Sequence, residues 1–384
     1  MTVLHVFNGN VLAADTVLPE ARITIEHERI VAIEPSCGGA ADERVDLAGG
    51  WMLPGFVDAQ VNGGGGVLFN DTPTVDGIAA IGAAHARYGT TAFLPTLISA
   101  DPDVIARGLD AVDEAIAAGV PGVVGIHVEG PFINPRRKGI HAEERLIRLD
   151  DDTMALLTRP ARGRVMLTLA PELADPADLE RLVAAGVILS AGHSDATAEQ
   201  AATGFAHGIT GVTHLFNAMA PLHHRAPGLI GAAFDDDGVW CGVIADGVHV
   251  VPSILRLTLK AKSAERVMLV TDAMPGVGNE GAPFYLDGHE IFVRDGICTD
   301  AAGTLAGSGL DMAGAVRNIV AMTGITVPVA ARMAAQTPAA YLGLDDEYGR
   351  VQPGYRADFA MLDSALKPMQ TWIGGRRHDC PSYA

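Results

Sequence analysis

One complete strand–helix–strand unit is predicted by VILSAGHSDATAEQAATGFAHGITGVTH, residues 187–214. A β-rich run, Val187–Ala191, precedes Thr197-Ala198-Glu199-Gln200, which fits the capping box at the start of a helix. The predicted helix stops at Gly208, and a second β-rich run, Ile209–Thr213, begins directly after it. Short β-rich runs that alternate with helical stretches are typical of βα units around a parallel sheet.

The same alternation extends over most of the chain. The other β-rich runs are Leu53–Ala59, Thr91–Leu97, Val123–Val128, Val165–Ala170, Trp240–Ala245 and Val267–Thr271. Together with the first unit they make eight runs, which predicts an α/β fold with a closed (β/α)₈ barrel of the TIM type. A doubly wound open sheet is the alternative, but no G-x-G-x-x-G motif follows the first run.

Both ends of the chain are β-rich as well. Residues 22–33 contain two β-branched runs around a short polar turn, as in a hairpin. Phe359–Leu362 and Thr371–Ile373 are strand-like, and Gly374-Gly375 gives a turn after the second run. We therefore predict one small β-sandwich domain formed from both termini. The predicted division is 1–52 and 348–384 for this domain and 53–347 for the catalytic barrel.

Composition excludes several functional classes. The chain has 384 residues, of which 48% are hydrophobic and 19% are charged, a balance ordinary for a globular protein. Its 46 acidic side chains exceed the 27 basic ones, and the net charge of −19 repels nucleic acid and anionic membranes. We therefore expect neither nucleic acid nor a membrane as a partner.

The N-terminus and the cysteines favour a cytoplasmic protein. The first residues, Met1-Thr2-Val3-Leu4-His5, lack the basic region and long apolar core of a signal peptide. The four cysteines form no C-x-x-C pair, which favours reduced thiols over a zinc knuckle or a disulfide framework. They are Cys37, Cys241, Cys298 and Cys380.

Polar side chains follow the predicted barrel strands, at the edge where active sites of such barrels lie. Glu129 follows the third strand, His193 the fifth and His214 the sixth. Asp246 follows the seventh strand and Asp272 the eighth. Two imidazoles and one carboxylate from three strands can provide three metal ligands and leave a position open for water. We therefore predict a catalytic metal site formed by Glu129, His193 and His214.

Asp272 is predicted to carry a proton. The stretch after it, Met274-Pro275-Gly276, does not resemble the start of a helix, which disfavours a role as a helix cap. An aspartate beside an activated water can accept its proton and then deliver it to the departing amine. His127 lies two residues before Glu129, on the same face of its strand. A hydrogen bond that supports the site and simple barrel packing both remain open for it.

The strand-end residues and their neighbours resemble the N-acetylglucosamine-6-phosphate deacetylases, a family of the amidohydrolase superfamily. The motifs are Pro54-Gly55-Phe56-Val57-Asp58, Glu129-Gly130-Pro131, Gly192-His193-Ser194, Thr213-His214-Leu215-Phe216-Asn217-Ala218-Met219, Asp246-Gly247-Val248-His249 and Thr271-Asp272-Ala273. They occur in the family's order from near the N-terminus to near the C-terminus. The resemblance implies hydrolysis of N-acetyl-D-glucosamine 6-phosphate to D-glucosamine 6-phosphate and acetate.

The resemblance also implies roles for single residues. Glu129, His193 and His214 match the metal ligands, and Asp272 matches the catalytic acid and base. The positions that match substrate contacts are Asn217, Ala218, Arg225, His249, Leu305, Ala306 and Gly307. Of these, Arg225 and His249 match positions that bind the phosphate. In this family a neighbouring subunit completes the phosphate site, which implies a homodimer.

The basic loop Arg136–His141 adds two candidates, Ile140 and His141. The His141 imidazole could donate a hydrogen bond to the acetyl oxygen as that oxygen gains charge, which would make it a second catalytic residue. An exposed histidine in a mobile loop is the alternative. Arg225 lies in a loop bounded by Pro221 and Gly228, where a cation can meet a phosphate, and a solvated surface loop is its alternative.

One departure from the wider superfamily bears on the metal count. Many amidohydrolases carry His-x-His after the first strand and hold two metals, whereas this chain has Gln60-Val61-Asn62. Because an amide is a weak metal ligand compared with imidazole, we predict one divalent metal ion per subunit. We expect zinc, although iron, manganese and cobalt accept the same ligands.

Two other functions are compatible with the pattern. The first is another amidohydrolase that acts on a related N-acetyl amino sugar, such as the galactosamine analogue, or on a cyclic amide. The second is a non-catalytic scaffold, which predicts eroded ligands. Arg225 with His249 favours a phosphorylated sugar, and the presence of Glu129, His193, His214 and Asp272 favours an enzyme.

Overall fold

The computed structural model describes residues 1–35, 39–159, 162–279 and 283–379. Cys37 and Cys380 lie outside these ranges, and Cys241 and Cys298 are buried free thiols. Within the described residues, no α-helix is both long and apolar enough to cross a bilayer.

The β-strands, in chain order, are β1 (Thr2–Phe7), β2 (Asn10–Ala13), β3 (Thr16–Leu18), β4 (Ala21–Glu26), β5 (Arg29–Glu34), β6 (Glu43–Asp46), β7 (Trp51–Pro54), β8 (Phe56–Val61), β9 (Gly63–Gly64), β10 (Val67–Leu68), β11 (Thr90–Ile98), β12 (Gly125–Glu129), β13 (Arg164–Leu169), β14 (Ile188–Ala191), β15 (Ile209–Val212), β16 (Trp240–Val243), β17 (Val267–Leu269), β18 (Phe284–Leu286), β19 (His289–Arg294), β20 (Ile297–Thr299), β21 (Leu305–Ser308), β22 (Phe359–Leu362), β23 (Pro368–Ile373) and β24 (Arg376–Asp379). The α-helices are α1 (Val75–Ala86), α2 (Pro102–Ala117), α3 (Asp151–Leu157), α4 (Pro176–Ala184), α5 (Ala198–Ala206), α6 (Gly228–Asp235), α7 (Pro252–Ala261), α8 (Met312–Thr323), α9 (Val327–Ala334) and α10 (Gln336–Tyr341).

Eight parallel strands form the barrel, in the order β17-β16-β15-β14-β13-β12-β11-β8. Helices α1 to α7 alternate with these strands along the chain, which confirms the predicted (β/α)₈ architecture. Every residue of β11 and β12 is buried, because strands of such a barrel face a filled interior on one side and helices on the other. The predicted capping box is present, with Thr197 and Gln200 bonded to each other's backbone at the start of α5.

The barrel closes between β8 and β17 through few backbone bonds. The N–H of Asp272 donates to the carbonyl of Gln60 at 3.0 Å, and Val61 forms an isolated parallel bridge with Ala273. Of the predicted eighth run, only Val267–Leu269 forms a strand, and the residues after it make this closing contact.

Two sheets from the chain termini form the small domain. One has the order β5-β4-β1-β6 and the other β24-β23-β22-β7-β2-β3. Their inner faces share one core, in which Ile23, Met52 and Phe359 are fully buried. The hairpin β4–β5 and the antiparallel pair β22–β23 lie where they were predicted, which confirms a β-sandwich formed from both termini.

The predicted first barrel strand, Leu53–Ala59, is divided in the structure, and this corrects the prediction. β7 pairs with β22 in the small domain, whereas the barrel strand β8 starts at Phe56. Gly55 separates the two strands, and a Cβ there would lie 2.1 Å from the Thr91 hydroxyl oxygen. Because both strands are buried, the apolar pattern continues across the division.

A four-stranded antiparallel sheet, β18-β19-β20-β21, follows the last barrel strand and was not predicted. Phe284, Leu286 and Ile291 of this sheet form a third core with Ile98 and Met274 at the rim of the barrel. The sheet therefore covers part of the edge at which the candidate site lies.

Candidate active site

The three predicted metal ligands converge at the carboxyl ends of β12, β14 and β15. His214 Nε2 lies 2.9 Å from Glu129 Oε1 and 3.0 Å from His193 Nε2. His193 Nε2 lies 3.1 Å from the same Glu129 oxygen, and all three side chains are buried. Two imidazole nitrogens this close cannot both carry a proton, whereas a cation among the three donors would satisfy every lone pair. The cluster therefore fits a divalent metal ion.

The His193 ring is oriented, and the Glu129 carboxyl ionised, for this task. His193 Nδ1 donates to the carbonyl of Arg137 at 2.9 Å, which leaves the Nε2 lone pair for a metal. Burial alone would raise the pKa of Glu129, but the adjacent imidazoles of His193 and His214 hold that pKa well below its usual range. Glu129 is therefore a carboxylate, the form that binds metal.

Positive φ angles mark three of the four residues Glu129, His193, His214 and Asp272. They are +49° at His193, +33° at His214 and +52° at Asp272. Non-glycine residues rarely adopt this region, and each such residue costs about 1–3 kcal/mol. All three lie within a few residues of the end of a barrel strand, where the chain turns away from the barrel. Such strain is concentrated at functional sites, where the surrounding structure holds it in place.

Asp272 lies beside the cluster and is held by two amides. Its Oδ1 accepts hydrogen bonds from Asn62 Nδ2 at 2.6 Å and from Gln60 Nε2 at 3.1 Å. The same Gln60 nitrogen lies 3.1 and 3.2 Å from the two Glu129 oxygens. Burial and the negative charge of Glu129 raise the pKa of Asp272 to about 6. The Gln60 amide thus joins the two carboxylates without adding a charge.

His141 is buried rather than exposed, unlike the alternative considered for it. Its Nδ1 accepts from the Ser99 backbone N–H at 3.3 Å and lies 2.6 Å from the Ser99 hydroxyl. Burial holds the pKa of His141 well below its usual range, so the ring is neutral. Because Nδ1 accepts, the single ring proton lies on Nε2, and His141 is a hydrogen-bond donor there.

A cavity of about 380 Å³ lies over the cluster. Its lining includes Glu129, Ile140, His141, His193, His214, Asn217, Ala218, His249, Asp272, Leu305 and Gly307, all predicted site residues. It also includes Ile98, Gly139, Met274, Gly303 and Thr304, for which the sequence pattern gave no functional signal. The structure therefore brings most of the predicted residues into one cavity.

Two predicted substrate contacts do not line this cavity. Ala306 is fully buried in the core of the β18–β21 sheet. Arg225 lies on an exposed turn closed by a backbone bridge between His223 and Ala226. Within one subunit, the phosphate position predicted for Arg225 is therefore not assembled.

His249 lies at the cavity wall with its ring held by Asp246. The His249 Nδ1 donates to Asp246 Oδ2 at 2.6 Å, and Asp246 Oδ1 accepts the backbone N–H groups of Val248 and His249 at 2.8 Å. Burial would raise the pKa of Asp246, but the hydrogen bonds and charge of His249 lower it below its usual range. The carboxylate thus fixes the ring and leaves Nε2 to meet a ligand.

His127 lies below the cluster and bonds to threonines rather than to the metal ligands. Its Nε2 lies 2.7 Å from Thr168 Oγ1 and its Nδ1 lies 3.3 Å from Thr96 Oγ1. Burial lowers the pKa of His127 to about 4, so the ring is neutral. Of the two roles left open for it, packing in the barrel interior agrees with these contacts.

Comparisons with known proteins point to one family. Residues 51–380 match the model described as the amidohydrolase family. The chain is 41% identical to an N-acetylgalactosamine-6-phosphate deacetylase of Shewanella sp. (strain ANA-3), over 86% of this chain and 83% of that protein. It is 37% identical to N-acetylglucosamine-6-phosphate deacetylase of Homo sapiens, over 87% of this chain and 85% of that protein. The crystal structure of N-acetylglucosamine-6-phosphate deacetylase from Pasteurella multocida has a TM-score of 0.94 at 30% identity, covering 98% of this chain and 100% of that one.

Proposed function

The chain belongs to the amidohydrolase family, and from this premise we propose that it deacetylates N-acetyl-D-glucosamine 6-phosphate. The products are D-glucosamine 6-phosphate and acetate. The proposal rests mainly on one observation: Glu129, His193 and His214 line the same cavity as Asp272. The presence of all four side chains also argues against a non-catalytic scaffold.

A second candidate substrate is N-acetyl-D-galactosamine 6-phosphate. The 41% identical relative bears that specificity in its name. The two sugars differ only in the configuration of one hydroxyl group, at C4. The site described above acts on the acetamido group and on the phosphate, so it is compatible with both sugars.

Glu129, His193 and His214 would hold one divalent metal ion, for which zinc is our proposal. When bound, such an ion polarises the scissile carbonyl and lowers the pKa of water. Gln60 and Asn62 flank Asp272 with amides, which are weak metal ligands, and both amides already donate to its Oδ1. We therefore propose a single metal per subunit.

Asp272 carries a proton from the attacking water to the departing amine. Its Oδ1 accepts two amide N–H groups, so Oδ2 is the oxygen that takes the proton as water attacks the acetyl carbon. The C–N bond then breaks, and Asp272 returns the proton to the departing amine nitrogen, which would otherwise leave as a poor anion. The carboxylate is thus ionised again once the amine has left.

His141 stabilises the acetyl oxygen. Its ring proton lies on Nε2 because Nδ1 accepts from Ser99, and the ring lines the same cavity as Asp272. The Nε2–H can donate to the carbonyl oxygen, which gains negative charge as water adds. His141 therefore acts as a donor and not as a base.

The 6-phosphate of the substrate is bound by His249 and by Arg225 of a second copy of the chain. Arg225 is exposed and does not line the cavity of its own subunit, whereas His249 does. We therefore propose a homodimer in which the Arg225 loop of one subunit reaches the cavity of the other.

We also propose that the enzyme acts in the cytoplasm.

The proposal is tested by measuring acetate release from four sugars. They are N-acetylglucosamine and N-acetylgalactosamine, each with and without the 6-phosphate. We expect the highest kcat/KM for N-acetylglucosamine 6-phosphate and a large loss for both sugars that lack the phosphate. A higher kcat/KM for the galactosamine 6-phosphate would select the second candidate, and absence of acetate from all four would refute the function.

A further inference from the structure

A fully buried carboxylate lies at the seam where the barrel closes. Asp58 is on β8, and its Oδ2 accepts the Thr271 hydroxyl at 2.5 Å. Its Oδ1 accepts the backbone N–H of Thr271 at 3.2 Å and that of Gln60 at 3.3 Å. One side chain therefore receives three donors from both sides of the seam.

This seam differs from the other strand contacts of the barrel. Within the described residues, β8 and β17 are the ends of the strand order, and no ladder of backbone pairs joins them. The Asp58 carboxylate supplies the acceptors that a neighbouring strand would otherwise provide. Burial raises the pKa of Asp58 to about 7 even though Thr271 and Gln60 donate to it. A buried carboxyl is costly, so its presence calls for a role that an apolar side chain could not fill.

The donors that Asp58 fixes are the neighbours of Asp272. Thr271 directly precedes Asp272 in the chain, and Gln60 donates its side-chain amide to Asp272 Oδ1. The Asp272 N–H donates back to the Gln60 carbonyl at 3.0 Å. The backbone of Asp272 has a φ of +52°, a conformation that persists only when surrounding bonds hold it.

We propose that Asp58 is a positioning residue that sets the location of the Asp272 carboxylate through Thr271 and Gln60. Asp58 does not line the cavity and does not touch the reacting atoms. The inference rests on the proposed function, because the catalytic task of Asp272 belongs to that proposal. A displacement of a catalytic group by about 1 Å can lower a rate by about 10²-fold.

The test compares Asp58→Ala with Asp58→Asn. Alanine leaves all three donors without an acceptor, whereas asparagine keeps one oxygen for the backbone N–H groups and can donate to the Thr271 hydroxyl. We expect Asp58→Ala to lower kcat by about 10²-fold with KM and metal content changed by less than about twofold. Asp58→Asn should recover most of that loss.

Thr271 gives a second pair of variants. Thr271→Val keeps the shape of the side chain but removes its hydroxyl, and Thr271→Ser keeps the hydroxyl. We expect the valine variant to lower kcat and the serine variant to stay close to the wild type. This pair tests the proposal even if Asp58→Ala does not fold.

A matched control separates positioning from general loss of stability. Asp358 is also a buried carboxylate that accepts a backbone N–H, from Gly374 at 2.6 Å, but it belongs to the small domain. Asp358→Ala should lower the melting temperature and leave kcat unchanged. An equal loss of kcat in Asp358→Ala and Asp58→Ala would overturn the proposal, as would a kcat for Asp58→Ala within about threefold of wild type.

Crystal structures of the wild type and of Asp58→Ala give a readout that needs no substrate. We expect the Asp272 carboxylate to shift by about 1 Å or to become disordered in the variant. If the wild type releases no acetate, the proposed function fails, while a shifted Asp272 would still support its positioning by Asp58. If Asp272 stays in place in the variant, the positioning role is wrong whatever the activity.

Discussion

Asn62 donates a 2.6 Å hydrogen bond to Oδ1 of Asp272 across the edge where the barrel closes. Gln60 makes the parallel contact at 3.1 Å. Both amides are therefore engaged as donors to the Asp272 carboxylate. An amide that donates its N–H groups in this way leaves only a weak carbonyl oxygen for a cation.

The first prediction concerns the number of metal ions. The purified protein should contain one equivalent of divalent metal per subunit, because Glu129, His193 and His214 form the one cluster of potential ligands found among the described residues. Chelation should abolish acetate release, and one added equivalent of zinc should restore it. Elemental analysis of the dialysed protein is the measurement, and two equivalents per subunit would contradict the single-metal site.

The second prediction concerns Asp272. Asp272→Asn should lower kcat by about 10²–10⁴-fold, since the amide cannot take the proton from water or return it to the amine. Metal content should stay unchanged, because the three ligand side chains are intact. The matched control is Asp246→Asn, which alters a carboxylate at the same rim that holds His249 and should affect KM more than kcat. Undiminished acetate release by Asp272→Asn would exclude the proton-carrying role.

The third prediction follows from the titration of Asp272. Burial and Glu129 raise its pKa to about 6, and only the ionised form can accept a proton. Protonation as the pH falls through this value therefore removes the active form, so kcat/KM should fall on the acid side. A bound divalent cation stabilises the carboxylate, so the acid limb should lie at or below about pH 6. A limb at a clearly higher pH, measured on the metal-loaded enzyme, would assign it to another group.

Much of the fold was predictable because each barrel strand is a short apolar run bounded by polar residues. The division at Gly55 was not, since β7 and β8 are both buried and their apolar patterns join. The β18–β21 sheet was missed because β18 and β20 have only three residues each and their alternation is weak. Short strands of this kind depend on packing rather than on local pattern.

The site was predictable where one rule applied, that polar residues after barrel strands gather at one rim. Glu129, His193, His214 and Asp272 all follow that rule. Ile98, which ends β11 and lines the cavity, follows it in position but is apolar, so it gave no chemical signal. The bond between Asp58 and Thr271 joins residues 213 positions apart, and no local pattern could reveal it.

The fourth prediction concerns the tautomer of His141. His141→Ala should lower kcat by about 10²–10³-fold, since it removes a donor to the oxygen that gains charge. Ser99→Ala should cost far less, because the Ser99 backbone N–H still donates to Nδ1 and keeps the proton on Nε2. His207, which follows α5 and does not line the cavity, gives a control, for which alanine should leave kcat unchanged. Equal losses for Ser99→Ala and His141→Ala would show that the hydroxyl, not the backbone, fixes the ring.

The last prediction separates the two phosphate contacts. His249→Ala removes the histidine that Asp246 orients at the cavity wall, and it should raise KM for the 6-phosphate sugar about 10-fold or more, as expected for a lost hydrogen bond to a charged group. Turnover of N-acetylglucosamine without the phosphate should not change.

Arg225→Ala should show the same substrate dependence only if its loop reaches a second subunit, because Arg225 does not line its own cavity. Mixing inactive Asp272→Asn with Arg225→Ala therefore tests the dimer: in a mixed dimer the intact Arg225 of the Asp272→Asn chain completes the cavity that retains Asp272. The low-KM activity should rise with the fraction of mixed dimers, and no rise after subunit exchange would place Arg225 outside the phosphate site.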